Sequence, residues 1–107
     1  MFKNEQQIAK IVAKGHSHNF CPLGNAHYTN QFTIELRPNE IIPDYLEIKD
    51  FIAKELNDKA LIIEDAVAIL FDYVMDTFQP FYLKVSSLVT DAAHPEVLVE
   101  KEGFYND

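Results

Sequence analysis

A single cysteine, Cys21, stands in the run Asn19-Phe20-Cys21-Pro22-Leu23-Gly24-Asn25-Ala26-His27-Tyr28, with His16 and His18 just before it. A thiol attacks carbon as its thiolate, and nearby imidazoles or other donors favour that form, so the pattern marks Cys21 as a candidate nucleophile in a turn. The alternative is a packed structural residue, because unpaired cysteines are among the most buried residue types. Three imidazoles and a thiol are also zinc donors, but two histidines two apart are a weak metal signature.

The elements that must hold these groups follow from periodicity. Residues Gln7 to Lys14 read as extended, and Gln31 to Arg37 alternates Phe32, Ile34 and Leu36 with polar neighbours, which predicts a half-buried strand ended by Pro38-Asn39. After Pro43 and Asp44 the spacing becomes helical, with Tyr45, Ile48, Phe51, Ile52 and Leu56 on one face until Asn57-Asp58. A second helix is predicted from Leu61 to Phe78, stopped by Pro80. Its apolar surface exceeds one face, which predicts packing on a sheet with one side and on another subunit with the rest. Strands around Phe81, Leu83 and Val85 and around Val97 and Val99 complete the order strand, strand, helix, helix, strand, strand. That order predicts an α+β domain over residues 1–107: an antiparallel four-stranded sheet with both helices on one face.

Composition narrows the function classes. Lysine and arginine number 9 against 17 acidic residues, a formal net charge of -8, which argues against broad adhesion to phosphate backbones or anionic membranes. One cysteine permits no internal disulfide, no apolar run is long enough to span a bilayer, and the start Met1-Phe2-Lys3-Asn4-Glu5 has no signal-peptide core. The expectation is a cytoplasmic homo-oligomer without a membrane partner.

The string Phe20-Cys21-Pro22-Leu23-Gly24-Asn25, its flanking strands, the helix pair and Pro80-Phe81-Tyr82-Leu83-Lys84-Val85 resemble the QueF family of 7-cyano-7-deazaguanine reductases over roughly Ala9 to Gly103. The resemblance implies the tunnelling fold, or T-fold, whose subunits close their sheets into a barrel and bind a purine or pterin ring between neighbouring chains. It implies that Cys21, before Pro22, adds to the nitrile carbon of the deazaguanine to give a thioimide. The family's acid a few places after the cysteine is replaced here by His27 and Tyr28, so His27 is carried over as the acid, with Tyr28 as the alternative donor. The ring-binding His-Glu pair reads Ile63-Glu64, leaving Glu64 as the ring anchor. The competing assignment for Glu64 is a first-turn acid beside the helix dipole, the role also given to Asp65.

The stretch that opens the first helix in the reductases, Glu-Ser-Lys-Ser, reads Glu47-Ile48-Lys49-Asp50. Glu47 is retained and carried over as a second substrate-binding residue, but both serines are gone and Asp50 places a carboxylate where a phosphate would sit. The expectation is therefore no NADPH and no metal. The chain resembles more closely the compact QueF-like amidinotransferases of archaeosine formation in tRNA, in which ammonia attacks the thioimide. Three alternatives stand beside that reading. One is the NADPH-dependent reductase of queuosine biosynthesis. Another is a zinc enzyme similar to the 6-pyruvoyltetrahydropterin synthases, suggested by Gly15-His16-Ser17-His18-Asn19-Phe20 and by Ile42-Pro43-Asp44-Tyr45-Leu46-Glu47-Ile48-Lys49. The third is a non-catalytic oligomeric binding module. Phe81, Tyr82 and Phe104 are expected in the core or at subunit contacts, and His94 before Pro95 as a turn residue.

Overall fold

The computed structural model describes residues 2–24 and 26–106, so Asn25 of the Cys21 turn lies outside the described residues. The main sheet is built from β2 (Ile11–Phe20), β3 (His27–Arg37), β6 (Tyr82–Val89) and β7 (Val97–Phe104), with β5 (Lys59–Ala60) on its edge; β1 (Phe2–Lys3) and β4 (Ile41–Ile42) form a separate pair. The strand order is β5-β2-β3-β6-β7. All long neighbours are antiparallel, while β5 pairs in parallel with β2 at Asn19 and Phe20. The four-stranded expectation is thus corrected to five, the fifth being a two-residue strand too short to carry a periodic signal.

Helix α1 (Tyr45–Phe51) starts where Asp44 accepts hydrogen bonds from the N–H groups of Leu46 and Glu47, and continues as a π-helical turn over Ile52–Leu56. Helix α2 (Ile63–Phe78) ends at Gln79, which holds the left-handed conformation before Pro80. Both helices cover the same sheet face. Phe32, Ile34 and Leu36 of β3, Leu83, Val85 and Val89 of β6, and Ala66, Val67, Leu70, Val74 and Phe78 of α2 make the core between them. Each of these side chains other than Ala66 contributes about 1.5–3 kcal/mol through burial. Gly15 sits where the π turn crosses β2: a Cβ there would lie 3.0 Å from Ile52 Cδ1.

Two sequence expectations change. Most of the apolar surplus on α2 is covered within the chain: Tyr73 stacks on Phe51 with ring centroids 3.8 Å apart, Phe71 is buried, and Ile69 is left 37% exposed. The first long strand begins later and ends later than Gln7 to Lys14. Asn4 ties down the preceding segment by bonding both the N–H and the carbonyl of Ile8, whereas the polar run through His18 pairs with β3 all the way to Phe20↔His27.

That polar run is stable because its buried members satisfy one another. Ser17 Oγ and Asn30 Nδ2 both donate to Asn19 Oδ1, at 2.6 and 2.8 Å, and Ser87 Oγ donates to Asn30 Oδ1 at 2.8 Å. Asn19 Nδ2 reaches out of this network to the carbonyls of Leu56 and Lys59, at 2.7 and 3.0 Å. Among the described residues no buried side-chain nitrogen or oxygen lacks a partner, as a buried polar network requires.

Candidate functional site

The connection between the helices brings α2 to the cysteine. Asn57 Oδ1 accepts the N–H of His18, Asp58 N–H donates to His18 O, and Leu61 N–H donates to Phe20 O, so residues 57–61 lie along the end of β2. Asn19 bonds the same connection from beneath. Helix α2 therefore begins beside Cys21, where the hairpin turn is closed by Cys21 N–H donating to Ala26 O at 2.9 Å.

A cavity of about 620 Å³ opens at this point, lined by Cys21 from the turn, His27 and Tyr28 from β3, Ile63 and Glu64 from α2, and Ala92 and His94 from the loop joining β6 to β7. Cys21 is half-buried and packs against the core. Glu64 is exposed in the first turn of a helix whose N-terminus receives no side-chain cap, so its carboxylate also complements the helix dipole, as does that of Asp65. Ile63, standing where the resemblance expects histidine, contributes an apolar wall.

Tyr28 is a fixed neutral phenol. Its hydroxyl donates to Leu61 O at 2.5 Å, and its pKa is raised, first by burial, against a lowering by a hydrogen bond with Asn30, with smaller upward effects of the charges at Cys21, Glu64 and Asp65. The bond anchors the segment leading into α2 and leaves the phenol without a proton to give. His27 stands differently. Strand alternation turns its ring to the face opposite Tyr28, where it meets Phe20 with ring centroids 5.9 Å apart.

Glu47 lies on α1 and is not among the residues lining this cavity within the chain. Its Oε1 accepts from the Tyr73 hydroxyl at 3.1 Å; burial, then this bond to a carboxylate, pushes the Tyr73 phenol up to about 12. His16 and His18 project from the bare face of β2, their rings 6.2 Å apart, while Cys21 belongs to the covered side. The donor set of the zinc-enzyme alternative is not gathered within one chain, and among the described residues no three His, Cys, Asp or Glu side chains converge as metal ligands.

The comparisons with known proteins follow from this geometry. No family model matches the chain, and no curated protein matches it. Among solved structures, the archaeosine synthase QueF-Like in its apo form superposes with a TM-score of 0.81 at 19% identity, covering 90% of this chain and 94% of that one. The chain has the T-fold. Sequence and superposition agree on the layout of sheet and helix pair, at an identity that leaves residue roles to be argued from this chain itself.

The residue that sequence reasoning missed is His94. It was expected as a turn residue, and it does lie in the β6–β7 loop, but that loop brings it into the lining of the cavity that Cys21 and Glu64 share. No local pattern announces this, since His94 is 73 positions from Cys21 in the chain. Of the two places expected for Phe81 and Phe104, the core of this chain does not hold them: they are 55% and 47% exposed and pack on each other. Among the described residues no helix is long and apolar enough to cross a membrane.

Proposed function

We propose that this chain is a QueF-like enzyme that captures a 7-cyano-7-deazaguanine group and converts its nitrile to an amidine with ammonia. The observation that carries the proposal is the convergence of Cys21 and Glu64 on one cavity of the T-fold, from elements far apart in the chain. The likeness to an archaeosine synthase supports the same reading.

The chemistry follows from the groups present. Glu64 accepts hydrogen bonds from the amine and ring N–H of a guanine-like edge and fixes the ring; charge-assisted bonds of this kind are strong as well as directional. The Cys21 thiolate adds to the nitrile carbon, the nitrile nitrogen takes a proton, and a thioimide results. Ammonia then adds to that carbon and the thiolate leaves, giving the amidine. The apolar wall of Ile63 and Ala92 holds the ring and excludes water from the thioimide.

The remaining parts of the proposal concern assembly and cofactor. The edge of β2 away from β3, over Ile11–Ser17, and the outer edge of β7 have no strand partner among the described residues, so the two edges are free to pair copy to copy and close a barrel. Glu47 then serves a neighbouring site from across the subunit boundary. With Asp50 in place of a serine, no nicotinamide takes part. The substrate is the nitrile-bearing base, free or within a nucleic acid, the strong negative charge restricting nucleic-acid contact to the site itself.

Intact-mass measurement of the protein mixed with 7-cyano-7-deazaguanine under mild, non-reducing conditions tests the proposal. A one-to-one adduct that Cys21→Ala abolishes is the expected result, followed by its discharge as amidine when ammonia is added. A protein that stays unmodified and does not bind the base would remove the nitrile reading.

A further inference from the structure

We infer that His94 is the acid and base of the Cys21 site, giving a proton to the nitrile nitrogen as the thiolate adds and taking one from ammonia as the thioimide is discharged. The inference rests on the nitrile chemistry proposed above and assigns a group that this chemistry requires.

The titratable groups that reach the cavity are Cys21 from the turn, His27 and Tyr28 from β3, Glu64 from α2 and His94 from the β6–β7 loop. Cys21 is the nucleophile, and Glu64 must stay an acceptor to hold the ring. Tyr28 gives its one proton to the Leu61 carbonyl. The His27 ring packs on Phe20, on the other side of the sheet from Tyr28. His94 lines the same cavity as Cys21, and its ring, unlike that of His27, is not packed on another aromatic ring among the described residues.

Its bonding suits the role. Nδ1 lies 2.7 Å from the carbonyl oxygen of Pro95. A carbonyl can only accept, so Nδ1 carries a hydrogen in both the neutral and the cationic ring, and Nε2 is the atom that gains and loses the proton. The loop that presents the ring is itself tied down. The ladder between β3 and β6 ends at Gln31↔Leu88, and the next N–H on that edge of β3, Thr29, donates at 2.9 Å to Asp91 Oδ1. Asp91 thus fastens the start of the loop next to Tyr28, three residues before His94.

The steps balance. The Cys21 sulfur forms a bond to the nitrile carbon with its lone pair, one π bond of the nitrile becomes the new N–H bond, and that proton comes from Nε2 of the His94 cation. Ammonia then bonds to the same carbon, loses a proton to Nε2, and the C–S bond breaks with its electrons returning to sulfur. The thiolate and the imidazolium are regenerated, with the amidine as product.

The test is the rate of adduct formation on 7-cyano-7-deazaguanine across pH, by rapid quench and intact mass, for the whole protein and for His94→Gln and His94→Ala. His94→Gln is expected to bind the base within about twofold of the natural protein and to form the adduct about 100-fold more slowly. Free imidazole is expected to restore part of the rate to His94→Ala, which a loop-holding role would not permit. A His94→Gln rate within twofold of the natural one, while the natural protein forms its adduct normally, overturns the assignment to His94 and leaves the nitrile reading standing. A natural protein that forms no adduct overturns both.

Discussion

The two faces of the sheet at its β2–β3 end differ in what stands behind them. On the covered face, Ser17, Asn19 and Cys21 follow one another at every second position, and helices, a polar network and a loop close over them. On the other face, His16, His18 and His27 are exposed and Phe20 is half-buried, outside that polar network. Nearness in sequence put one thiol and three imidazoles in a single group. The pleat, which sends successive side chains to opposite sides, turns His16 and His18 away from Cys21, whose cavity is completed by α2 and the β6–β7 loop.

If that division is right, substitutions on the two faces behave differently, and the sharpest break is at the thiol. Cys21→Ala should abolish the covalent adduct completely by intact mass while the protein still binds 7-cyano-7-deazaguanine. Next comes the network beneath it. Asn19→Ala leaves Asn30 Nδ2 and the Leu56 and Lys59 carbonyls short of a partner, and should cost about 2–4 kcal/mol in urea unfolding, as loss of a buried partner does. Glu64→Gln should weaken binding of the base about 10- to 100-fold in calorimetry, the worth of a charged hydrogen bond, with the melting temperature little changed.

Acid should loosen the loop before it touches the core. The Asp91 carboxyl is held below the ordinary aspartate range, first by the Thr29 N–H and then by the Thr29 hydroxyl, with His18 adding a smaller effect. A lowered folded value means that this contribution is complete above the unfolded pKa, about 3.9, and fades as pH falls through the folded one. Amide exchange at Thr29 and in residues 90–96 should therefore rise below about pH 4 in the natural protein, and Asp91→Asn should show the faster exchange already at neutral pH. The smallest effect belongs to the bare face: His16→Ala and His18→Ala should leave stability within about 0.5 kcal/mol and the adduct rate within twofold. A large loss of adduct rate in either would mean that the two faces work together and that the division drawn here is wrong.

Much of this was legible beforehand because it is local. Alternation of Phe32, Ile34 and Leu36 marks a strand without knowledge of its neighbours, and Pro43-Asp44 and Pro80 bound helices through fixed backbone chemistry. The length of β2 was not legible, since Gly15-His16-Ser17-His18-Asn19 carries no apolar alternation; its inward positions are polar and depend on Asn30, Ser87 and the helix connection for their bonds. The overfilled α2 likewise suggested a subunit contact, because the sequence does not say that Phe51 would cover Tyr73.

The sequence by itself determined the α+β order, the thiol in its Cys-Pro turn and the carboxylate opening α2. The tertiary structure decided that Cys21 and Glu64 share a cavity, that Glu47 bonds Tyr73 instead of lining it, and that His94 joins Cys21 and His27 there from a distant loop. The reason is physical. Periodicity and turn chemistry act over a few residues and leave their mark on the chain, whereas the meeting of a turn, a helix start and a distant loop is set by sheet register and packing, which no short stretch of sequence records.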